Sequence, residues 1–461
     1  MKSVKLLHSI FFLSLIIPNM ISAQSEESYS LLWTVSHGWN VTDVSFSPDG
    51  RNVLAVESNT SKDAVKLYDA ATGEVVWTAT SGVRFGRFSP DMKKVFISGT
   101  GTAALDFNDG ALLWSVNYSS DCMALSNDGS MLALGKEIDR SHGVVRVLNI
   151  EDGSLIWEGA TKGPVKDIEF TSDDSKIVSG GGDLSDKEVI MWNSSTGQIL
   201  WTFLSGAEVQ TVSISPEGNY VFVGTYWKQV YMLNAVNGNK VWEKTLIERV
   251  LDSGFTPDGK NVFFSSNNGF VRVYDAQTGG IIWEKDLEKF TGLRQIRISP
   301  DAGCLVSGSG DGYVYFFDVS TGELLSTMEI GKTVMCLNYS YDGTRIVVGT
   351  YAAGSVNVYQ EDGAVNIESE EPVLNEYILS QNYPNPFNPT TTISYNISKT
   401  VKVRLSVYDA LGREVKELVN ELKTPGSYNV EFDGTGLASG IYFYRIETEG
   451  RSKVKSMLLM K

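Results

Sequence analysis

The residues that could do chemistry are few, and no familiar catalytic spacing organises them. Of three histidines, His8 lies in the leading apolar segment, which leaves His37 and His142. The chain has no Gly-x-Ser-x-Gly elbow, no His-Glu-x-x-His pair and no phosphate-cradling glycine loop. Gly180-Gly-Gly182 follows a strand but opens a polar loop rather than a helix. Nothing singles out a Ser-His-Asp triad. Paired carboxylates for glycoside hydrolysis stay open, because such pairs need not be close in sequence. Cys122, Cys304 and Cys336 are too few and too dispersed for a disulfide framework or a metal knuckle. They read as small buried hydrophobes, with one pairing left open.

The elements that must position these groups come from internal repetition. Tyr68-Asp-Ala-Ala-Thr-Gly-Glu-Val-Val-Trp77 recurs as Leu105-Asp-Phe-Asn-Asp-Gly-Ala-Leu-Leu-Trp114 and Leu148-Asn-Ile-Glu-Asp-Gly-Ser-Leu-Ile-Trp157. Further copies end at Trp201, Trp242 and Trp283, and a weaker one ends at Ser326. Leu31-Leu-Trp33-Thr-Val35 is the tail of such a motif, stranded at the start. A second motif, Val44-Ser-Phe-Ser-Pro-Asp-Gly50, interleaves with the first in eight copies. Successive tryptophans are spaced by 44, 37, 43, 44, 41 and 41 residues, the length of one four-stranded propeller blade.

Pro-Asp-Gly and Thr-Gly-Glu form turns, because Pro fixes φ, Asp bonds its own backbone and Gly accepts positive φ. The expected fold is therefore all-β: an eight-bladed β-propeller, alternatively seven-bladed if a weak unit is absorbed elsewhere. Each unit supplies strands a, b and c from the channel outward, then a d strand ending in Trp. Trp33, Trp77, Trp114, Trp157, Trp201, Trp242 and Trp283 share one repeat position, which argues for one structural job between adjacent blades. The stranded 31–35 segment is expected to complete the last blade beside residues 354–359, removing an exposed sheet edge.

Aligning the repeats gives one polar column, Asp43, Phe85, Cys122, Asp167, Thr211, Asp252, Gln295 and Cys336. The column before it holds Thr42, Arg84, Asp121, Lys166, Gln210, Leu251, Arg294 and Met335. Both fall near the start of the innermost strand, at one mouth of the central channel. A ring that varies from blade to blade suits an asymmetric ligand. The longest b–c loops, 57–63, 136–142 and 180–187, open on the same face and carry Asp139, Arg140, Asp183 and Asp186. Candidate binding residues are thus Asp43, Asp121, Asp167, Thr211, Asp252, Gln295, Asp139, Arg140 and Asp183, with a bias toward units 3 and 4. The alternative is a solvated channel lining with ordinary surface loops.

The formal net charge of −16, with Lys and Arg scattered, leaves no basic stripe for a phosphate backbone and argues against a nucleic-acid partner. Residues 1–23 read as a signal peptide: Lys2 and Lys5, an apolar run too short to span a bilayer, and a cleavage point after Ser22-Ala23. No later segment reads as transmembrane. Residues 30–367 are the propeller, 368–378 an acidic linker and 379–461 a C-terminal module. That module shows strand patterns at 391–397, 401–409, 415–419, 428–432, 440–447 and 454–459, which predict an immunoglobulin-like sandwich.

Two family resemblances follow from these motifs. The Thr-Gly…Trp pattern at 68–77, 192–201 and 274–283 resembles the repeats of quinoprotein dehydrogenase propellers, and Phe-Ser-Pro-Asp-Gly resembles WD-repeat or YVTN-type propellers. Both imply fold more than function. Quinoprotein dehydrogenases carry adjacent cysteines, which this chain lacks, so no cofactor is predicted and pyrroloquinoline quinone is not expected. WD-repeat proteins carry a His before strand a, and only His37 fits that place. Asn382-Tyr-Pro-Asn-Pro-Phe-Asn-Pro389, Val407-Tyr-Asp-Ala-Leu-Gly412 and Leu437-Ala-Ser-Gly-Ile-Tyr442 resemble type A sorting domains of type IX secretion. That resemblance implies export across an outer membrane, with the secretion machinery as a partner. The leading expectation is a secreted or cell-surface binding or scaffold protein for an extracellular protein or glycan. The alternatives are an extracellular hydrolase, lyase or dehydrogenase acting at the channel mouth, and a scaffold for envelope assembly.

Overall fold

A computed structural model describes residues 29–362, apart from 59–63, 81, 184–186, 228 and 288–291. It also describes 377–459, apart from 380–381, 383–386, 398–399, 410–412, 425 and 449–450. The export segment, most of the acidic linker and Asp186 lie outside the described residues. The chain divides into two compact units, residues 1–364 and 365–461.

In the first unit, eight four-stranded antiparallel sheets follow one another. Blade 1 comprises strands a to d at Asn40–Phe46, Asn52–Ser58, Ala64–Asp69 and Val75–Thr80. Blades 2 to 7 repeat that order. The a strands of blades 2 to 8 are Val83–Phe88, Cys122–Leu125, Val165–Phe170, Val209–Ile214, Val250–Phe255, Ile296–Ile298 and Val334–Tyr339. Each a strand touches the a strands of both neighbouring blades, so this ring lines the axis. Strands b and c are covered on both faces by adjacent blades and read as near-continuous apolar runs, such as Val53–Val56 and Val221–Val223, all buried. The outer d strands are mostly exposed, as in Ile199–Leu204, where Trp201 alone is buried.

Blade 8 takes strands a to c from the end of the unit and its d strand, Tyr29–Ser36, from the beginning. Leu31 faces Tyr359 and Val35 faces Val356 across this pairing. The stranded motif therefore closes the ring as its spacing predicts.

The seven tryptophans do one job. Each indole Nε1 donates to a carbonyl in the c–d turn of the next blade: Trp33 to Ala70, Trp77 to Phe107, Trp114 to Ile150 and Trp157 to Ser194. Trp201, Trp242 and Trp283 donate likewise to Ala235, Ala276 and Val319. The distances run from 2.6 Å at Trp157 to 2.9 Å at Trp201. The turn glycine lies under the ring. Gly238 has φ +72°, and a Cβ there would sit 2.7 Å from the Trp201 ring. Its absent side chain thus serves both the turn and the indole. Where Ser326 replaces Trp, Tyr29 of blade 8 stacks on Phe316 of blade 7 at 5.2 Å.

The Trp ring does not act alone inside the blades. In blade 1, buried His37 contacts Glu57 at 3.1 Å and Tyr68 at 3.0 Å, and Lys66 bonds Glu57 at 2.9 Å. Burial holds His37 below its usual pKa despite the Glu57 charge. Blade 6 fills the equivalent place with Arg272 between Glu248 and Glu284, and Tyr274 donates to Glu284. Each buried charge has a partner, as burial requires.

The second unit is a two-sheet sandwich. One sheet pairs Tyr377–Leu379, Thr390–Ile397 and Gly426–Asp433 in the order given. The other runs Glu414–Lys423, Val401–Asp409, Gly440–Thr448 and Arg451–Leu459. Their inner faces bury Ile393, Tyr395, Val403, Leu405, Phe432, Tyr444 and Ile446 in one core. Tyr377–Leu379 begins inside the stretch expected as linker, because its pairing with Tyr395–Ile397 carries it into the sandwich. The Pro-rich motif is stitched to this core: the Asn382 amide donates to Tyr444 Oη at 2.8 Å, and Phe387 is buried.

Candidate functional site

The a strands set the geometry of the channel mouth. In six of the eight, the pairing register slips by one residue at the start, for example between Val41 and Asp43 and between Val250 and Asp252. The skipped residues are Thr42, Arg84, Lys166, Gln210, Leu251 and Met335. A bulge of this kind re-aims one side chain while keeping the rest of the ladder. It separates the two sequence columns: the bulged residues form the mouth, and the residues after them sit deeper.

The deeper column is committed to the neighbouring blade. Asp43 Oδ2 accepts from the Gly86 amide at 3.2 Å and pairs with Arg87 at 2.5 Å. Asp167 accepts from the Val212 amide at 2.9 Å, and Asp252 from the Ile296 amide at 3.0 Å while pairing with Arg297 at 2.6 Å. Gln295 accepts from the Leu337 amide at 2.9 Å. Thr211 bonds Ser253 at 3.0 Å. The Cys122 and Cys336 thiols donate to the carbonyls of Val165 and Val41, and Phe85 packs against the apolar core of blade 3. All three cysteines are buried, in three different blades.

Below this column, Glu169 accepts from the Ile214 amide at 2.9 Å. Burial pushes Glu169 up to about 8, against the Ile214 bond and with help from the Asp167 and Asp252 charges. Asp167 is pushed up to about 6, again chiefly by burial, with Asp252 assisting. Arg297 stays charged because Asp252, Asp43 and Asp167 outweigh its burial.

At the mouth, the charges of blades 2 to 4 are spent on one another. Asp121 pairs with Lys136 at 2.9 Å and Arg84 at 3.4 Å, and Lys166 with Glu137 at 3.2 Å. Arg140 approaches Asp183 at 4.0 Å, so the loops of units 3 and 4 do meet, while exposed Asp139 bonds His142 at 2.9 Å. Exposed pairs of this kind contribute little to stability and offer no unsatisfied group.

A concave feature of the described residues lies across the ring, on the same face. A cavity of about 600 Å³ is lined by Arg249, Leu251, Asn267, Gly292, Arg294, Gly310, Asp311 and Thr333, from strand a of blade 6 and the loops of blades 6 to 8. Arg249 bonds the neutral side chain of Gln210 and lies 4.5 Å over the Tyr226 ring. Beside Tyr226, in the b–c loop of blade 5, Trp227 is 64% exposed. Tyr351 and Trp39, each 47% exposed, stand on loops of the same face in blades 8 and 1. The repeat alignment contained Leu251 and Arg294 but gave no reason to prefer them. The available signal was Trp227, one of three tryptophans outside the repeat position. Among the described residues, no three His, Cys, Asp or Glu side chains gather as a metal-holding group, and no helix is long and apolar enough to cross a membrane.

A ring of four-stranded sheets docked by indoles and joined end to start defines a repeat-built β-propeller. By residues 19–175 and 185–333 the chain belongs to the PQQ-like repeat family described as outer membrane protein assembly factor BamB. Residues 381–460 match the secretion system C-terminal sorting domain, so this is a secreted propeller, sent by type IX secretion to the cell surface or beyond. Among solved structures it is similar to the C-terminal WD40 domain of Sif2, with TM-score 0.62 and 14% identity over 73% of this chain and 99% of that one. The computationally designed Ika8 protein gives TM-score 0.61 and 20% identity over 72% and 99%. Among curated proteins, rat (Rattus norvegicus) apoptotic protease-activating factor 1 is 36% identical over 107 residues, 21% of this chain and 8% of that protein. Eukaryotic translation initiation factor 3 subunit I of Emericella nidulans is 26% identical over 200 residues, 38% of this chain and 56% of that protein. The chain thus spans 8% and 56% of the lengths of these two relatives, and the structural likenesses speak to fold alone.

Proposed function

We propose that this secreted propeller is a binding protein, holding an extracellular glycan or protein on the face built from its b–c and d–a loops. The observation that carries this reading is the grouping of a 600 Å³ cavity and three solvent-facing aromatic side chains, Trp39, Trp227 and Tyr351, on one face. Aromatic rings held on rigid loops are efficient contact surfaces, since little conformational freedom is lost on binding. The candidate polar column contributes through the scaffold: Asp43, Asp167, Thr211, Asp252 and Gln295 hold the ring shape that presents the loops. The reading involves no quinone. Screening the secreted chain against glycan and surface-protein arrays, with Trp227→Ala and Tyr351→Ala in parallel, is expected to give a ligand whose signal falls about tenfold in at least one variant. A ligand indifferent to both would move the site off this face.

Glu169 and Asp167 support a second reading. Two channel carboxylates with raised pKa values suit general acid–base work in an extracellular hydrolase or lyase. Polysaccharide cleavage by the wild type, absent in Asp167→Asn, would favour that reading over simple binding.

A further inference from the structure

We infer that the cavity of blades 6 to 8 is a subsite for a carboxylate-bearing saccharide, with Arg249 and Arg294 receiving the acid group and the Tyr226–Trp227 pair supporting the adjoining sugar ring. This inference rests on the loop-face reading above and narrows it to one ligand class.

The argument begins with charge. The chain carries a net −16, and at the mouth of blades 2 to 4 the cations Arg84, Lys136, Lys166 and Arg140 each face a carboxylate. Arg249 and Arg294 do not. Among the described residues neither forms an ion pair. Arg249 is held by an uncharged amide and an aromatic face, both of which leave its charge uncompensated. Its Nε is buried with no acceptor among the described residues. The guanidinium of Arg294 is exposed and makes no hydrogen bond with the described residues. The one acid in the lining, Asp311, is occupied by the Tyr315 hydroxyl at 2.6 Å and the Tyr313 amide at 3.1 Å. Two guanidiniums around one cavity match a carboxylate in geometry as well as charge, since each can donate two parallel N–H bonds.

Shape and polarity then select the ligand class. A volume of about 600 Å³ lies in the range of small-ligand sites. Only Leu251 in the lining is a large apolar residue, whereas a protein partner calls for an apolar, well-packed interface centre. The Asn267 Nδ2 donor and the Thr333 hydroxyl oxygen are left for hydroxyl groups, since Asn267 Oδ1 accepts from the Arg249 amide and the Thr333 hydroxyl donates to the Gly310 carbonyl. Next to the Tyr226 ring that Arg249 covers, Trp227 stands edge-on at 4.9 Å, with most of its surface free for the apolar face of a pyranose.

The test uses the full secreted chain and three probes: a galacturonate hexamer, the same hexamer with its carboxylates reduced to alcohols, and hexaglutamate. Binding is measured by calorimetry, and melting temperatures check the fold of each variant. The wild type is expected to bind the acidic hexamer at least tenfold more tightly than the reduced one. Arg294→Gln should remove about tenfold of that affinity without changing the melting temperature, because its guanidinium has no partner to lose. Trp227→Ala should weaken both saccharides. Equal binding of the two hexamers, unchanged binding in Arg294→Gln, or no saccharide binding at all overturns the acid subsite. Tighter binding of hexaglutamate than of either saccharide overturns the ligand class. Saccharide binding that depends on Trp227 but not Arg294 sinks the acid subsite and leaves the loop-face reading standing. A bound saccharide sensitive to neither removes both.

Discussion

The rim and the channel fasten one blade to the next by opposite means. At the rim, seven tryptophans repeat one contact, an indole N–H on a turn carbonyl and a flat ring over a glycine. In the channel, the corresponding repeat position holds carboxylate, amide, hydroxyl, thiol and phenyl groups, all directed at the following blade. The difference follows from what each contact demands. The rim needs a wide plane that fills a gap and carries one donor, a combination specific to Trp over Gly. The channel needs only a short side chain that meets a neighbouring backbone group or packs against it, and several residue types do so. Variation around a ring can therefore reflect a permissive structural contact as readily as recognition of an asymmetric ligand.

Four substitutions break or sharpen this contrast. The largest effect is expected at the rim. Trp201→Ala removes a buried ring and its bond to Ala235, and should cost about 3–5 kcal/mol in denaturant unfolding. A loss under about 1 kcal/mol would mean that the rim does not hold the blades together. In the channel, Asp252→Ala strands the Ile296 amide and the Arg297 guanidinium, and should cost about 1–3 kcal/mol. Asp252→Asn keeps an acceptor for Ile296, much as Gln295 does for Leu337, and should cost less. Equal losses in the two variants would assign the contact to charge rather than to backbone capping.

The smallest effect is expected in pH dependence. Glu169 and Asp167 have folded-state pKa values raised to about 8 and about 6, so the folded chain binds more protons than the unfolded chain above pH 4. Their contribution is fully present below the unfolded carboxylate pKa and is lost as pH rises through 6 and then 8. Unfolding curves collected from pH 4 to 9 should show stability falling over this range. Glu169→Gln should flatten the upper part by about 1 kcal/mol. An unchanged slope would mean that Glu169 is ionised throughout.

Much of the fold was legible in the residues. The Trp-ending motif and the Pro-Asp-Gly turns gave blade length, strand order and the closing role of Leu31–Val35, because turns and strand periodicity are local properties of a chain. The tail motifs gave the sandwich and the export route for the same reason. The candidate site was legible only in part. Alignment placed two columns at the channel start but could not tell that Asp43 would meet the Gly86 amide, or that Arg140 and Asp183 would approach each other.

The sequence by itself determined the repeating unit, its turns and the ring they wind into, since each depends on residues a few positions apart. Tertiary structure alone decided which side chains are consumed and which remain available. A bulge at the start of each of six a strands turned Thr42, Leu251 and their counterparts to the mouth and sent Asp43 and Asp252 toward the next blade. The cavity exists only because blade rotation brings Arg249, Arg294 and Thr333 together from three successive blades. No periodicity along one strand records that meeting, because the partners are set by how the blades pack around the axis.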